Sequence, residues 1–253
     1  MTALAQNTTY YTHPTGNPTR RGGSLILRNV HIFVGALCFF HDDGVAASSR
    51  LMPARSLNNA NTPAQGGPLQ CGSGSNMHRM IAKVPNVTLT VTLSGTGSAI
   101  SALAVTYGST INISYTVGTA TTAATIVAAL RANADVMALI DTAIFGDGSG
   151  SPLGLSVSKV PFVRLAGFSK KEFDNTGAST DLAISEIIEL DTGKAFMGND
   201  ATDPASASDV GGMISILDDQ TIARTQVPLQ IPAFLFDWQP VHAGATGPCI
   251  NIP

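Results

Sequence analysis

Strict alternation of apolar and polar residues marks two short stretches near the middle of the chain. In VTLTVTL, residues 87–93, valines and leucines alternate with threonines, and in INISYTV, residues 111–117, apolar residues again alternate with polar ones. A period of two places successive side chains on opposite faces of a strand, and β-branched residues favour strands. Both stretches are therefore predicted to be half-buried β-strands.

The period changes in the next segment, TTAATIVAALRANADVMALIDTA. Thr121 or Thr122 is predicted to cap a helix, because a threonine hydroxyl can accept a hydrogen bond from a free backbone N–H of the first turn. Asn133 and Asp135 then break the pattern and cap a second short helix. The apolar positions predicted to face the core are Ile126, Val127 and Leu130 in the first helix and Val136, Leu139 and Ile140 in the second.

The remainder of the chain consists of short strand-like segments separated by turn residues. Examples are SLILRNVHIFVGALCFF, with Gly35 as a bend, and the alternating DLAISEIIEL. Short strands at near-regular spacing favour a β-sandwich or barrel. The predicted fold is therefore mainly β, with residues 24–84 and 159–253 forming one β-sandwich or barrel domain and residues 85–158 forming a small inserted α/β module.

Residues 1–23 differ from both parts, since they show neither a helical nor a strand period. Two prolines, Pro14 and Pro18, disfavour a helix or a sheet interior. One interpretation is a flexible terminus. The other is an extended N-terminal arm that orders against a neighbouring protein, because Tyr and Arg are favoured at interfaces. Its candidate contact residues are Tyr10, Tyr11, Arg20 and Arg21.

The segment DPASASDVGGMISILDDQTIA, residues 203–223, predicts a turn followed by a hairpin. The stretch up to Asp209 is expected to form a short helical turn or loop, and Gly211-Gly212 breaks the chain after it. Residues 213–217 form an apolar strand, Asp218-Asp219-Gln220 a turn, and residues 221–224 the returning partner. None of these residue types, in this order, indicates reactive chemistry.

Composition and charge exclude several functional classes. Charged residues make up only 12% of the chain, the net charge is −3, and the only adjacent basic pair outside Lys170-Lys171 is Arg20-Arg21. This balance disfavours nucleic-acid binding, which needs a basic surface.

The first residues lack a charged start followed by an apolar core, and no apolar run approaches the roughly 20 residues that a membrane span needs. With three cysteines and no CxxC spacing, we expect a soluble protein made in a reducing cytoplasm.

Candidate catalytic and metal-binding patterns are weak throughout. His41-Asp42-Asp43 is followed by glycine and predicts a turn, and GDGSGS lacks the residues of a P-loop or an EF-hand. The five histidines show no HxxxH or HExxH spacing, no GxSxG occurs, and Cys38 lies in an apolar run. We therefore expect no catalytic residues, no metal site and no cofactor, and interpret the chain as not an enzyme.

Three segments together resemble the head decoration, or cement, proteins of tailed bacteriophages. They are GSLILRNVHIFVGALCFFHDDG with the following LMPA, then VRLAGFSKKEFDNTGASTDLAISEIIEL, and then the hairpin segment 203–223 with its pattern D-V-G…D-D-Q-T-I-A. The resemblance covers roughly 150 residues outside the insertion, and segment 121–141 is similar to small modules of phage virion proteins.

This resemblance implies a structural virion protein on the exterior of an icosahedral capsid, made in the cytoplasm of the host bacterium. Its partner would be the major capsid protein, whose neighbouring subunits it would clamp, and it would be a homo-oligomer, a dimer or trimer, without nucleic-acid or membrane partners. A ligand that binds only the expanded lattice stabilises that lattice by mass action. In this view the hairpin is a scaffold that presents the loops and the arm.

Two other functions remain open at the level of sequence. A tail or fibre module that binds a host receptor or glycan would suit the Thr/Ser-rich strands, although one Trp and four Tyr offer few platforms for sugars. A capsid shell protein would need a long spine helix, whereas the longest helical pattern, residues 121–142, is interrupted. An esterase or protease ranks last because no nucleophile context is present.

Overall fold

The computed structural model describes residues 19–21, 25–44, 49–55, 57, 62–72, 77–150, 157–185, 188–225, 229, 232–242 and 245–252. These residues divide into two compact units. The first unit is built from the described residues within 1–41, 46–56 and 164–253, and the second from those within 42–45 and 57–163. The second unit thus contains the segment 85–158 together with residues 57–84.

The fold is mainly β, as predicted, with two short helices. The helices are α1 (Ala123–Ala132) and α2 (Ala134–Leu139). The strands, in chain order, are β1 (Thr19–Arg21), β2 (Leu25–Ile26), β3 (His31–Ile32), β4 (Leu37–Asp42), β5 (Arg50–Pro53), β6 (Leu69–Cys71), β7 (His78–Ala82), β8 (Val87–Leu93), β9 (Ile100–Thr106), β10 (Ile111–Val117), β11 (Ile140–Ile144), β12 (Val157–Lys159), β13 (Phe162–Ser169), β14 (Phe173–Asp174), β15 (Leu182–Ala183), β16 (Glu189–Asp191), β17 (Gly193–Phe196), β18 (Gly198–Asn199), β19 (Met213–Ile216), β20 (Thr221–Ala223), β21 (Pro232–His242) and β22 (Ala245–Ile252).

The first unit contains two larger sheets and one small one. The first sheet has the order β1-β16-β13-β4-β5-β2-β15, the second has the order β17-β22-β21-β19-β20-β18, and β14 pairs with β3. Fully buried side chains from β4, β5 and β13 supply much of the core, as do those of β19 and β20. Among them are Leu37, Phe39, Leu51, Met52, Phe168, Ile214, Ile216 and Ile222.

The second unit places its two helices against one face of a four-stranded sheet. The sheet has the order β12-β8-β10-β9, with β8 and β10 parallel and in register from Val87 opposite Ile111 to Leu93 opposite Val117. Val87 and Leu89 of β8 are buried, as are Ile113, Tyr115 and Val117 of β10, and these side chains share one apolar cluster with α1 and α2. β7, flanked by β6 and β11, contributes to the same cluster. Because the helices cover one face only, the alternation in the sequence separates an apolar face from a polar one.

Several local predictions are confirmed. β8 and β10 occupy the two alternating segments, residues 87–93 and 111–117. Thr122 caps α1 by accepting a hydrogen bond from the backbone N–H of Thr125 at 3.2 Å. Asn133 caps α2 in the same way. Gly35, with φ 84°, lies between β3 and β4, where a bend was expected.

Two predicted boundaries are wrong. Ile140 was expected to continue the second helix, but it is extended, with φ −133°, and begins β11 by pairing with Ala82. The alternating segment DLAISEIIEL was expected to form one strand, but its described residues form β15 and β16, which pair with different neighbours. In both cases a pairing between distant segments overrides the local pattern.

Candidate functional site

The predicted contact residues of the N-terminal arm fall partly outside the described residues. Tyr10 and Tyr11 belong to that undescribed part. Arg20 and Arg21 lie on β1, which forms one edge of the first sheet by pairing antiparallel with β16, Arg20 opposite Leu190 and Arg21 opposite Glu189. The end of the arm is therefore tied by its backbone to its own sheet, whereas its contacts with a partner stay a prediction.

The turn of the predicted hairpin is a meeting point of three other segments of the first unit. β19 and β20 pair as expected, and the backbone N–H of Gln220 donates to the Asp218 side chain at 3.0 Å, which closes the turn. The Leu37 N–H donates to the Asp219 carbonyl at 2.9 Å, and the Gly198 N–H donates to the Gln220 carbonyl at 2.7 Å. Arg55 forms a β-bridge with Asp218. The D-D-Q turn thus has a structural role that its sequence alone does not show.

The turn that precedes this hairpin is fixed by a reciprocal capping arrangement. The Asp209 carboxylate accepts hydrogen bonds from the backbone N–H and the hydroxyl of Ser206, both at 2.8 Å, and forms an ion pair with Arg224 at 3.1 Å. These contacts, first those with Ser206 and then the charge of Arg224, hold the pKa of Asp209 below its usual value. A short 3-10 helix at Ala207–Asp209 results, as the sequence predicted.

Further hydrogen bonds brace the loop on both sides of that cap. The Asn199 side chain bonds both the carbonyl and the N–H of Ala205, at 2.7 and 2.8 Å. The Asp203 carboxylate accepts the backbone N–H of Thr225 at 2.7 Å. Hydrogen bonding from the side chain of Thr225, and then from its backbone, lowers the pKa of Asp203. Residues 199–225 therefore form a loop and hairpin whose conformation is set by its own polar side chains.

This braced segment exposes apolar side chains at residues 210–213, which we name the VGGM corner. Val210 is 43% exposed and Met213 is 47% exposed, and two glycines separate them. Exposed apolar side chains on a rigid turn lose little conformational freedom on binding, and methionine is enriched at protein interfaces. The arrangement can form a small contact with a protein partner. Sequence reasoning identified the hairpin but missed these two side chains, although the flanking glycines were a signal of an exposed turn.

The buried titratable side chains His78, Tyr115 and Cys71 belong to the core of the second unit. His78 Nε2 lies 3.0 Å from the Tyr115 hydroxyl, and β6 and β7 pair Cys71 opposite His78. Burial lowers the pKa of His78 to about 4 and raises the pKa values of Tyr115 and Cys71. All three groups are consequently neutral at pH 7 and have almost no contact with solvent. This combination suits a structural hydrogen bond and not a nucleophile, which requires an accessible and activated thiolate or hydroxyl.

His41, considered above as a possible metal ligand, lies in a buried ionic cluster of the first unit. Arg50 Nη2 donates to His41 Nδ1 at 3.2 Å, and Arg50 Nη1 donates to Asp181 at 3.4 Å. Arg28 binds the same carboxylate at 3.0 and 3.2 Å. Arg50 thus engages the Nδ1 atom of His41 within this cluster. Asp42, next in the chain, accepts the Gly44 N–H at 2.9 Å, as a turn requires.

Among the residues that the structure describes, no group of three or more His, Cys, Asp or Glu side chains is placed to hold a metal ion. Within the same residues, no helix is long and apolar enough to cross a membrane.

Comparison with known proteins identifies no relative of this chain. No protein-family model, no curated protein and no solved structure matches the chain. The functional interpretation therefore depends on the residues themselves and on their geometry.

Proposed function

We propose that this chain is a structural virion protein that binds the outer surface of a bacteriophage capsid and stabilises the expanded lattice by linking neighbouring major capsid subunits. The proposal extends to a homo-oligomer without catalytic activity or cofactor. The observation that carries it is the segment 203–223, whose sequence resembles decoration proteins. In the structure this segment is a braced hairpin that exposes the VGGM corner.

The physical mechanism is linkage between binding and lattice stability. A protein that binds the expanded lattice but not the separated subunits raises the stability of the lattice by an amount set by its concentration and affinity. Many identical sites multiply the effect, and oligomeric binders gain further from multivalency. A contact as small as the VGGM corner suits this design, because each site needs only modest affinity.

The N-terminal arm supplies a second contact in this proposal. Its last described residues form the edge strand β1, so the backbone of the chain is fixed to the first sheet from Thr19 to Arg21. Tyr10 and Tyr11 would then reach a neighbouring subunit, while the backbone of Arg20 and Arg21 stays paired with β16.

The decisive experiment mixes the purified protein with expanded capsids of the encoding phage that were assembled without it. We expect stoichiometric binding, in hundreds of copies per particle, and a higher melting temperature of the capsid. A tail or fibre module would instead be present in a handful of copies on intact virions. Failure of the full-length protein to bind capsids would contradict the proposal.

Two truncations separate the role of the arm from that of its edge strand. Removal of residues 1–18 leaves β1 in place, whereas removal of residues 1–23 also deletes β1 and exposes the backbone of β16. If the arm is a clamp, the shorter truncation already weakens capsid binding while the free protein keeps its melting temperature. Equal capsid binding by that truncation and the full-length chain would contradict the role of Tyr10 and Tyr11.

The VGGM corner is tested by Val210→Ser with Met213→Ser, which remove exposed apolar surface without touching the core. We expect weaker capsid binding and an unchanged melting temperature of the free protein. The matched control is Leu93→Ser, another exposed apolar residue, located in the second unit. If the control weakens binding as much as the double variant does, the corner is not the contact.

A further inference from the structure

The four-stranded sheet of the second unit ends in an edge strand, β9. β9 pairs antiparallel with β10 and, among the residues that the structure describes, with no other strand. An edge strand carries a row of unpaired backbone N–H and C=O groups that can pair with another chain. Ser101, Ala102, Ala104 and Thr106 are exposed, so this strand is accessible to a partner.

A bulge divides β9 into two parts. The register with β10 shifts between Ser101, which lies opposite Thr116, and Ala104, which lies opposite Ser114, and Ala102 has a positive φ of 52°. A bulge bends the strand and interrupts regular pairing, which protects the first part of the edge. We name residues 103–106, from the end of the bulge to the end of the strand, the β9 edge.

The β9 edge lacks the other features that usually protect an edge strand. Natural edges are protected by charged side chains, above all lysine, and by proline. Residues 84–130, which include β8, β9 and β10, contain no Lys, Arg, Asp, Glu or His, although charged residues make up 12% of the chain. No proline occurs between Pro85 and Pro152. The sequence therefore places neither charge nor proline against a strand that adds to this edge.

Apolar side chains at the β9 edge are incompletely covered. Leu103 and Val105 pack against the apolar cluster of the second unit but stay half-buried. Leu89 and Ile113, on the inner strands of the same sheet, are fully buried. Because β9 is the last strand, a strand added beside it would cover more of Leu103 and Val105 through cross-strand contacts.

We propose that two copies of this chain associate through their β9 edges. The edges pair antiparallel about a two-fold axis perpendicular to the sheet, which joins two four-stranded sheets into one continuous sheet. This inference rests on the homo-oligomer of the proposed function and names its interface.

Symmetry and charge identify a second copy as the partner. A perpendicular two-fold axis keeps the same face of the sheet on the same side, so the apolar row of Leu103 and Val105 meets the identical row of the other copy. Both edges are uncharged, so no like charges oppose each other across the axis. A charged strand of another protein would lose hydration at this edge without gaining an ion pair.

The test measures the mass of the purified full-length protein by sedimentation velocity at several concentrations, in the absence of capsids. We expect a dimer that dissociates on dilution. Ala104→Lys places one positive charge on each β9 edge, close to its copy across the axis, and should weaken dimerisation at least about tenfold. Ala104→Glu should weaken it for the same reason.

A mixture of these two variants distinguishes pairing between β9 edges from any other interface. Opposite charges then face each other, so a mixed dimer should form at concentrations at which each variant alone is a monomer. Ala104 is exposed, so both variants should keep the melting temperature of the wild type. Thr106→Lys and Thr106→Glu, at a second exposed position of the β9 edge, repeat the comparison where a variant at Ala104 does not fold.

Thr92→Lys is the matched control. Thr92 is exposed and lies on the same face of the sheet as Ala104, but on the inner strand β8. The variant adds the same charge away from the edge and should dimerise as the wild type does.

Three results overturn the proposal. They are a monomeric wild-type protein, a dimer that Ala104→Lys leaves equally stable, and a mixture of the Lys and Glu variants that does not associate. Capsid binding is measured separately, so the two proposals fail independently. A monomer that binds capsids contradicts the pairing of β9 edges alone, and if Ala104→Lys weakens that binding, the edge pairs with the capsid instead. A dimer that does not bind capsids contradicts the capsid function alone.

Discussion

His78 shows how a single residue acquires properties that its neighbours in the chain do not predict. It lies on β7, almost fully buried, with its Nε2 atom 3.0 Å from the hydroxyl of Tyr115, a residue 37 positions away. Burial penalises the charged imidazolium and lowers its pKa from 6.5 to about 4. The histidine is therefore a neutral hydrogen-bonding residue of the core.

This pKa shift predicts an acid-sensitive second unit. Below pH 6.5 the unfolded chain binds a proton at His78 and the folded chain does not, so the free energy of unfolding falls between pH 6.5 and about 4. The loss approaches about 3 kcal/mol at the lower limit. Urea denaturation at a series of pH values measures it.

His78→Gln is the control, because glutamine can retain a hydrogen bond to Tyr115 but does not titrate. We expect the variant to lack this part of the pH dependence. An unchanged slope between pH 6.5 and 4 in the variant would show that other groups cause it.

At the scale of elements, the loop between β8 and β9 depends on a close backbone approach at Gly118. A Cβ atom at Gly118 would collide with the backbone of Gly97, while a Cβ atom at Gly97 would meet no atom within 4 Å. Hydrogen bonds from Thr119 and Ala120 to the carbonyls of Gly95 and Gly97 hold the two segments together. The close approach therefore requires the absence of a side chain at position 118 but not at position 97.

We predict that Gly118→Ala destabilises the protein by about 1–3 kcal/mol, the usual cost of forcing extra atoms into a packed site. Gly97→Ala should change stability by less than about 0.5 kcal/mol, as surface substitutions usually do. Chemical denaturation of the two variants compares them directly. Equal stability of both would contradict the close approach.

The cap that precedes the hairpin gives a second prediction for an element. Asp209→Ala removes the acceptor for both Ser206 donors and the partner of Arg224, so the melting temperature should fall. Thr202→Ala is the control, because only the backbone of this exposed residue takes part in the loop, through a bond to Asp200.

The effect of the Asp209 cap also depends on pH. Because the folded pKa of Asp209 lies below its usual 3.8, the stabilisation is complete well above pH 3.8 and is lost as the pH falls through the folded value. The melting temperatures of wild type and Asp209→Ala should therefore converge in strong acid. A constant difference at all pH values would exclude the carboxylate as the cause.

For the whole molecule, the cysteines provide a simple probe of folding. The thiols of Cys38, Cys71 and Cys249 are all buried, and none of them is in a disulfide. Burial raises the pKa of Cys38 and Cys71, with Asp219 adding to the effect at Cys38. Thiolate is the reactive form, so both burial and pKa suppress reaction with a thiol reagent.

We predict that DTNB labels none of the three thiols in the native protein at pH 8 and all three in guanidinium chloride. The native reaction should be at least about a hundredfold slower, because it requires opening of the fold. Absorbance of the released thiolate records both rates. Rapid labelling of one native thiol would show that its surroundings open locally.

The mainly β fold and several local elements of this protein are determined by short stretches of sequence. The alternation in residues 87–93 and 111–117, the caps at Thr122 and Asn133, and the D-D-Q turn each depend on neighbours within a few positions. Propensity, side-chain period and local hydrogen bonds act over that range. These elements could therefore be predicted.

Only the tertiary structure decided what the same elements do together. The parallel register of β8 and β10 aligns their side chains across the sheet, and the approach of Leu37, Arg55 and Gly198 to the hairpin turn makes that turn a junction. The end of the second helix at Ile140 and the division of DLAISEIIEL between two strands have the same origin. In each case the deciding contact joins residues far apart in the chain, whose pairing depends on the burial and register of the whole unit and not on local pattern.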